Sequence, residues 1–225
     1  MALPGAKLAS GPVRAQRFGD VLSNGMLCSS AELGFDDDSD GVLVLDNDAE
    51  TGRALNDHLE LGDVLLDIEL TPNRGDCLSV AGVAREVAAI TGAGLMPPVL
   101  RNIRSIHDHR IPIKLEAPKD CPRWIGRVIT GLRPATRTPD RIRERLRRSG
   151  IRSIDCVVDI TNYVMIEYGQ PMHAFRLDRI DSEIRVRHAR RNERLTLLDG
   201  KKITMDRTTL VIADKNKSVA LAGIM

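Results

Sequence analysis

The stretch Ser153–Phe175, SIDCVVDITNYVMIEYGQPMHAF, constrains the fold more than any other part of the chain. Val157, Val158, Ile160, Thr161 and Val164 are β-branched and by themselves favour strand. Yet Ile154, Val157, Val158, Thr161, Met165 and Tyr168 recur at the i, i+3, i+4, i+7 spacing of one helix face. Spacing sustained over four turns outweighs intrinsic preference, so a helix is expected, ended by Gly169 and Pro171. The Gly169 to His173 break would then bring Thr161, Asn162 and His173 near the mouth of helix and loop.

The flanking patterns give an α+β fold: a small α/β N-terminal part, then a mixed α/β domain with an antiparallel meander. The first thirty residues hold few apolar positions, with Val13 and Arg14 on one short strand; they are either a tail or the end of something larger. GVLVLD and VLLDIEL read as strands, the second with Val64, Leu66, Ile68 and Leu70 alternating with Asp67 and Glu69. Asp76 is placed to cap a helix from about Cys77 to Thr91, closed by Gly92. Gly94 to Ile106, with Pro97-Pro98, reads as a linker. IPIKLEA and RWIGRVITGL are strand-like, and Thr138-Pro139-Asp140 starts a helix to about Ser149 with Thr138 as its cap. IRVRH, RLTLL, KKIT, TLVIAD and SVALAGIM form the meander, and Asp199-Gly200 suits a two-residue hairpin turn.

At 225 residues the chain can bury a core as one large domain or two to three small ones. The net charge of +2 decides little, but its distribution is uneven. Glu32 to Glu50 holds eight acids and no base, whereas Arg133 to Arg152 holds eight arginines against Asp140 and Glu144. Such a basic pole is the usual footprint of an anionic partner. Three Phe, two Tyr and one Trp argue against reading single-stranded bases by stacking. Cys28, Cys77, Cys121 and Cys156 stand far apart, which suits a reduced cytosolic setting and provides no zinc motif. No apolar run approaches the ~18 residues of a membrane span.

Each motif has a plain reading beside the functional one. Asp36, Asp38, Asp40 and Gly41 match the opening of a calcium loop, but Asn47 stands where the twelfth-position Glu belongs, so no metal is expected. The helix arginines, among them Arg143, Arg147 and Arg148, are either a solvated face or a phosphate-facing one. His173 is either a satisfied loop histidine or a group that orients water or bonds a ligand hydroxyl. Asp155, Asp159 and Asn162 share one helix face, a spacing that suits acid–base work and is also common on solvated surfaces. No phosphate-binding loop or dinucleotide fingerprint occurs, so nothing here activates ATP unaided.

The runs TPNRGDCLSVAGVAREVAAI, RRSGIRSIDCVVDITNYVMIEYGQPMHAF and LLDGKKITMDRTTLVIAD resemble the β subunit of bacterial phenylalanyl-tRNA synthetases, as does SNGMLCSSAELG. The resemblance extends from about Leu3 to Met225 and implies a layout. Residues 1–30 would be the tail of an oligonucleotide-fold tRNA-binding insert, 31–94 the second half of a small N-terminal domain and 95–104 a linker. Residues 105–225 would be an editing domain, incomplete at its C-terminus, that hydrolyses tyrosine wrongly attached to the phenylalanine tRNA. It implies that His173, Asn162 and Thr161 are catalytic and that Pro171 and Met172 bind substrate. Arg143, Arg147 and Arg148 become candidates for tRNA phosphates.

The implied partners are the phenylalanine tRNA and an α subunit in an (αβ)2 assembly, in the cytoplasm and away from membranes. ATP and magnesium are used by the complete enzyme through the α subunit, with no cofactor in this chain. In the family a Gly-Gly segment and a glutamate that contacts the tyrosine hydroxyl follow the last run, and neither is present here. The alternative is therefore a non-catalytic tRNA- or subunit-docking module, or an inactive truncated piece.

Overall fold

The computed structural model describes residues 1–35, 41–133 and 135–223. Asp36, Asp38 and Asp40 of the calcium-like motif lie outside these, as does the end of SVALAGIM. The first elements in chain order are β1 (Lys7–Leu8), β2 (Gly11–Pro12), β3 (Gln16–Phe18), β4 (Val21–Ser23) and α1 (Leu55–His58). Then come α2 (Val80–Thr91), β5 (Ile113–Leu115), α3 (Asp140–Arg148) and α4 (Cys156–Tyr168). The chain closes with β6 (Ile184–His188), β7 (Arg194–Thr196), β8 (Lys202–Thr204), β9 (Leu210–Ala213) and β10 (Ser218–Leu221). Two compact units result: Met1–Asn73 with Arg137–Ile166, and Arg74–Thr136 with Glu167–Met225. They interleave along the chain.

In the first unit β1 pairs with β2 and β3 with β4, both antiparallel. Val13 and Arg14 are not on a strand; they link the hairpins, and the buried Val13 donates its N–H to the Ala6 carbonyl at 2.8 Å. The start of α3 also departs from expectation. Pro139 is the N-cap and supplies no side-chain bond, and the Thr138 hydroxyl turns instead to Asp159. The Asp140 N–H is taken by the Asp46 carboxylate at 2.7 Å, and the Asp46 N–H by that of Asp140 at 2.8 Å. The cap is tertiary, supplied from 94 residues upstream, and so has no local signature.

α4 forms where the apolar spacing places it, capped by Asp155, whose carboxylate accepts the Val157 and Val158 N–H groups at 2.8 and 3.1 Å. Asp159 is fully buried and gathers the Thr138 and Ser153 hydroxyls and the Ile154 N–H. Burial works to raise its pKa, and these three donors outweigh it, so the carboxyl titrates below its ordinary range.

In the second unit α2 starts later than Asp76 suggests. Gly75–Cys77 forms a 3-10 turn, and Ser79 is the N-cap, accepting the Gly82 N–H at 2.9 Å. The turn packs so tightly on the helix that a Cβ at Gly82 would lie 2.1 Å from the Asp76 carbonyl oxygen. Gly92, at φ 71°, closes the helix as the sequence indicates.

The sheet of this unit runs β10-β9-β6-β5, with β5 parallel to β6 and the other pairs antiparallel. Val186, Val211 and Ile212 are at most 1% exposed and form its centre. β7 and β8 make a separate antiparallel hairpin between β6 and β9 in sequence. Leu195 and Ile203 pack inward on Ala189, Met205, Val211 and Leu221. Its loop is longer than a two-residue Asp-Gly turn. Gly200, at φ 81°, donates to the Leu197 carbonyl at 2.9 Å, and pairing resumes at Leu197 and Lys201. Glycine thus provides the left-handed residue of a three-residue loop, the next commonest hairpin solution.

Three expected strands do not form. Residues 42–46, 64–70 and 123–132 contain no strand, and Val64 and Leu66 are each 76% exposed. A period of two marks a surface that suits a sheet, but a strand exists only where a neighbour offers its hydrogen bonds. Among the described residues no neighbour does. Residues 94–104 likewise carry no helix or strand and are exposed.

The buried Arg187 of β6 is held by Glu193, two hydrogen bonds of 2.8 Å each. The same carboxylate accepts the Arg190 N–H at 2.7 Å and the Ser218 hydroxyl at 2.6 Å. Its pKa is drawn down from 4.5 to about 2, chiefly by the Arg187 bonds, against the opposing effect of burial. A depressed carboxyl stabilises the fold fully above its unfolded pKa and loses that contribution as pH falls through the folded one. Urea melts between pH 5 and pH 2 should therefore show the wild-type chain losing on the order of 2 kcal/mol that the Glu193→Gln variant lacks throughout.

Candidate functional site

Thr161 and Asn162 lie on α4 within the first unit, while Pro171, Met172 and His173 belong to the second. The Thr161 hydroxyl donates back to the Val158 carbonyl at 2.8 Å, so it is held against its own helix. Asn162 is half-buried, and its carboxamide has no hydrogen-bond partner among the described residues. His173 is exposed and stacks on Phe175, ring centroids 5.9 Å apart at 15°. Phe175 in turn packs on Ile184, Ile212 and Ala220. The core thus fixes one face of the imidazole while its edge stays open to solvent. Pro171 and Met172 are exposed as well. An imidazole presented this way can take a proton from water or bond a ligand hydroxyl. Gly169, at φ 75°, releases the loop from the helix, and a Cβ there would sit 3.1 Å from the Ser79 hydroxyl.

The other acids of the α4 face are already engaged. Asp155 caps the helix, and Asp159 is buried under three donors, so neither is a free general acid or base.

The arginines of α3 divide by their partners. Arg148 is 11% exposed and bonds Glu144 at 2.9 Å, Asp63 at 3.2 Å, and the Leu59 and Glu60 carbonyls at 2.7 and 2.6 Å. Arg147 forks onto Glu144 at 2.8 and 2.7 Å and lies over the Phe35 ring, 5.4 Å from its centroid. Arg143 stands 3.6 Å from the buried Asp140 carboxylate. Burial works to raise the pKa of Glu144, but Arg147 and Arg148 prevail and lower it. Two carboxylates facing inward thus organise the basic helix, and its guanidinium groups hold the unit together.

Among the described residues one trio, Asp76, Cys77 and Glu86, brings metal-type ligand atoms within 4.8 Å of one another. Arg74 already sits among them, 2.6 Å from Glu86 and 3.0 Å from the Cys77 sulfur. Its hydrogen bonds lower the pKa of both carboxyls and raise its own, so a guanidinium supplies the positive charge that a cation would bring. The four cysteines are free. A cavity of about 1130 Å³ in the first unit lies beside α3, with Phe35, Leu43, Leu45, Arg143, Arg147 and Arg152 in its lining. Of its lining hydroxyls, that of Ser153 is already donated to the buried Asp159. A smaller one of about 510 Å³ in the second unit has Arg191 and Arg207 in its lining, residues that the sequence reading passed over. Their signal was Arg190-Arg191-Asn192, two guanidinium groups beside a residue that tolerates left-handed backbone. Neither cavity is lined by Thr161, Asn162 or His173. No helix of the described residues is long and apolar enough to cross a membrane.

Comparison with known proteins supplies the wider context. Residues 120–225 match the model of the B3/4 domain. The chain is similar along its whole length to phenylalanine–tRNA ligase β subunits. It is 47% identical to that of Nitrosococcus oceani and 48% identical to that of Methylococcus capsulatus. The β subunit of Pectobacterium atrosepticum is 48% identical over 94% of this chain. The chain spans 27–29% of the length of these relatives.

The partner set of Arg148 yields a stability test. Arg148→Ala strips four acceptors of their donor and leaves Glu144 buried with one partner fewer, which should cost about 2–4 kcal/mol in chemical denaturation. Arg148→Lys should recover less than half of this, because an ammonium cannot span the same fork.

Proposed function

We propose, for a chain that belongs to the phenylalanine–tRNA ligase β-subunit family, that it contributes the editing region of the complete enzyme. The reaction is hydrolysis of tyrosine from mischarged phenylalanine tRNA. The observation that carries this reading is His173, exposed and yet fixed on Phe175, within the segment matched to the B3/4 domain.

The chemistry asks for little. An apolar synthetic pocket rejects an analogue bearing one added hydroxyl by only ~10², so a second, hydrolytic site has a task. Water attacks the aminoacyl carbonyl, the ester C–O bond breaks, and the ribose oxygen leaves with a proton. In this proposal the His173 imidazole orients the water and carries its proton to the leaving oxygen. The Asn162 carboxamide is the donor for the developing oxyanion. Thr161 shapes the pocket, and Pro171 and Met172 contact the substrate. The resemblance, and no relation between the two units, extends the reading to Thr161 and Asn162. The complete enzyme would join an α subunit in an (αβ)2 assembly in the cytoplasm, and ATP and magnesium would act through α.

A second reading, a docking module without chemistry, is favoured by the uncovered apolar side chains of Val64, Leu66 and Ile68. Deacylation separates the two. Tyr-tRNA(Phe) hydrolysis by the complete enzyme should fall roughly 100-fold with His173→Ala and ~10- to 100-fold with Asn162→Ala. Rates unchanged in both variants would remove these residues from the reaction and leave the docking module.

A further inference from the structure

Arg143, Arg147 and Arg148 of α3 lie against the buried carboxylates of Asp140 and Glu144, whereas a second basic region of the molecule has no such acids. Arg190, Arg191, Arg194, Lys201, Lys202 and Arg207 cluster around the β7–β8 hairpin, all exposed. The acids among them have other partners. Glu193 is bound to Arg187, Asp199 accepts the Lys201 N–H at 2.9 Å, and Asp206 accepts from the Thr208 and Thr209 N–H groups at 2.8 and 3.1 Å. Arg191 and Arg207 line the cavity of about 510 Å³ with Asn192, Thr204, Met205 and Asp206, and neither guanidinium has a hydrogen-bond or ion-pair partner among the described residues.

The cavity has firm walls. The turn carrying Arg191 closes through the Glu193 N–H to the Arg190 carbonyl at 3.1 Å, with Asn192 at φ 58°. The Met205 N–H then bonds the Glu193 carbonyl at 2.8 Å. Pairing of Arg194 with Thr204 and of Thr196 with Lys202 puts these four residues on the outer face, opposite the half-buried Leu195 and Ile203. The two charges on that face, Arg194 and Lys202, stand on opposite strands one two-residue step, about 6.8 Å, apart along the hairpin.

We propose that this outer face and the cavity at its open end bind the phosphate backbone of an RNA strand, with Arg191 and Arg207 as the leading contacts. Unpaired guanidinium groups fit phosphate oxygens in a fork geometry. A line of cations suits a linear polyanion better than a single phosphate group. No aromatic residue lies between Ala189 and Arg207, so bases are not stacked there and the contact is independent of sequence. The choice of RNA rests on the reading given under Proposed function. The phosphate chemistry does not.

The test is fluorescence anisotropy of a labelled phenylalanine-tRNA transcript with the full 225-residue chain over 50–300 mM KCl. Arg191→Ala with Arg207→Ala should weaken binding at low salt and reduce the slope of log K against log salt by about 1.5. The Lys-for-Arg pair should restore most of the slope. Arg194→Gln with Lys202→Gln, on the outer face alone, should give a similar loss and serves if the first pair fails to fold. Wild-type slope in both pairs, no salt-dependent binding by the wild type, or preference for anionic phosphatidylserine vesicles over RNA would each overturn the proposal. So would equal competition by inorganic phosphate and KCl at matched ionic strength combined with an unchanged slope in the variants. Hydrolysis that ignores His173 while the slope still depends on Arg191 and Arg207 would count against the editing reading only.

Discussion

Arg187 is a cation in the middle of a sheet, and the second unit is arranged around neutralising it. A buried guanidinium without a counter-charge is costly, so its carboxylate must arrive with good geometry and with its other lone pairs satisfied. Glu193 meets both demands, accepting from Arg187, Arg190 and Ser218 together. Those bonds reach from β6 to β10 and through the turn that leads into β7. The ion pair therefore fixes where the hairpin begins, and with it the corner at which Arg191 is displayed. An electrostatic requirement of the core sets the chemistry of the surface.

The first unit obeys the same logic with the signs exchanged. Asp140, Glu144 and Asp159 are buried acids, and each is held by donors from a different part of the chain. Asp140 trades backbone bonds with Asp46, Glu144 binds Arg147 and Arg148, and Asp159 collects Thr138, Ser153 and Ile154. The Asp46–Asp140 exchange joins segments 94 residues apart, and Thr138 ties the start of α3 to α4, while the remaining contacts are local. A unit of this kind depends on the protonation state of a few carboxylates more than a larger hydrophobic core would.

What was legible in the sequence follows from the range of the forces. α4 could be read because its apolar spacing persisted over four turns, and Gly92 because left-handed backbone is a local property. β6, β9 and β10 were legible as short β-branched runs whose partners are all present. The strands expected at 42–46, 64–70 and 123–132 carried the same pattern but find no neighbour among the described residues. Caps failed for the complementary reason. Thr138 and Asp76 were good local candidates, but Asp159 and Arg74 bid more for them, and Asp46 and Ser79 took over. Within the candidate site, the exposure of His173 was not legible, because its anchor Phe175 is set by packing on Ile184, Ile212 and Ala220.

Arginine count is therefore a poor guide to where this molecule meets an anion. Arg148 and Arg191 are the same residue, yet Arg148 is 11% exposed under four acceptors while Arg191 lines a cavity and bonds no acceptor among the described residues. The difference was set by the carboxylates. Glu144 lies on the inner face of α3 one turn before Arg148, whereas Glu193, two residues after Arg191, is already saturated by Arg187. A guanidinium is free to bind phosphate only after the protein's own acids have been assigned, and that assignment is a property of the fold. In this chain it leaves Arg191 and Arg207 without an ion-pair partner among the described residues.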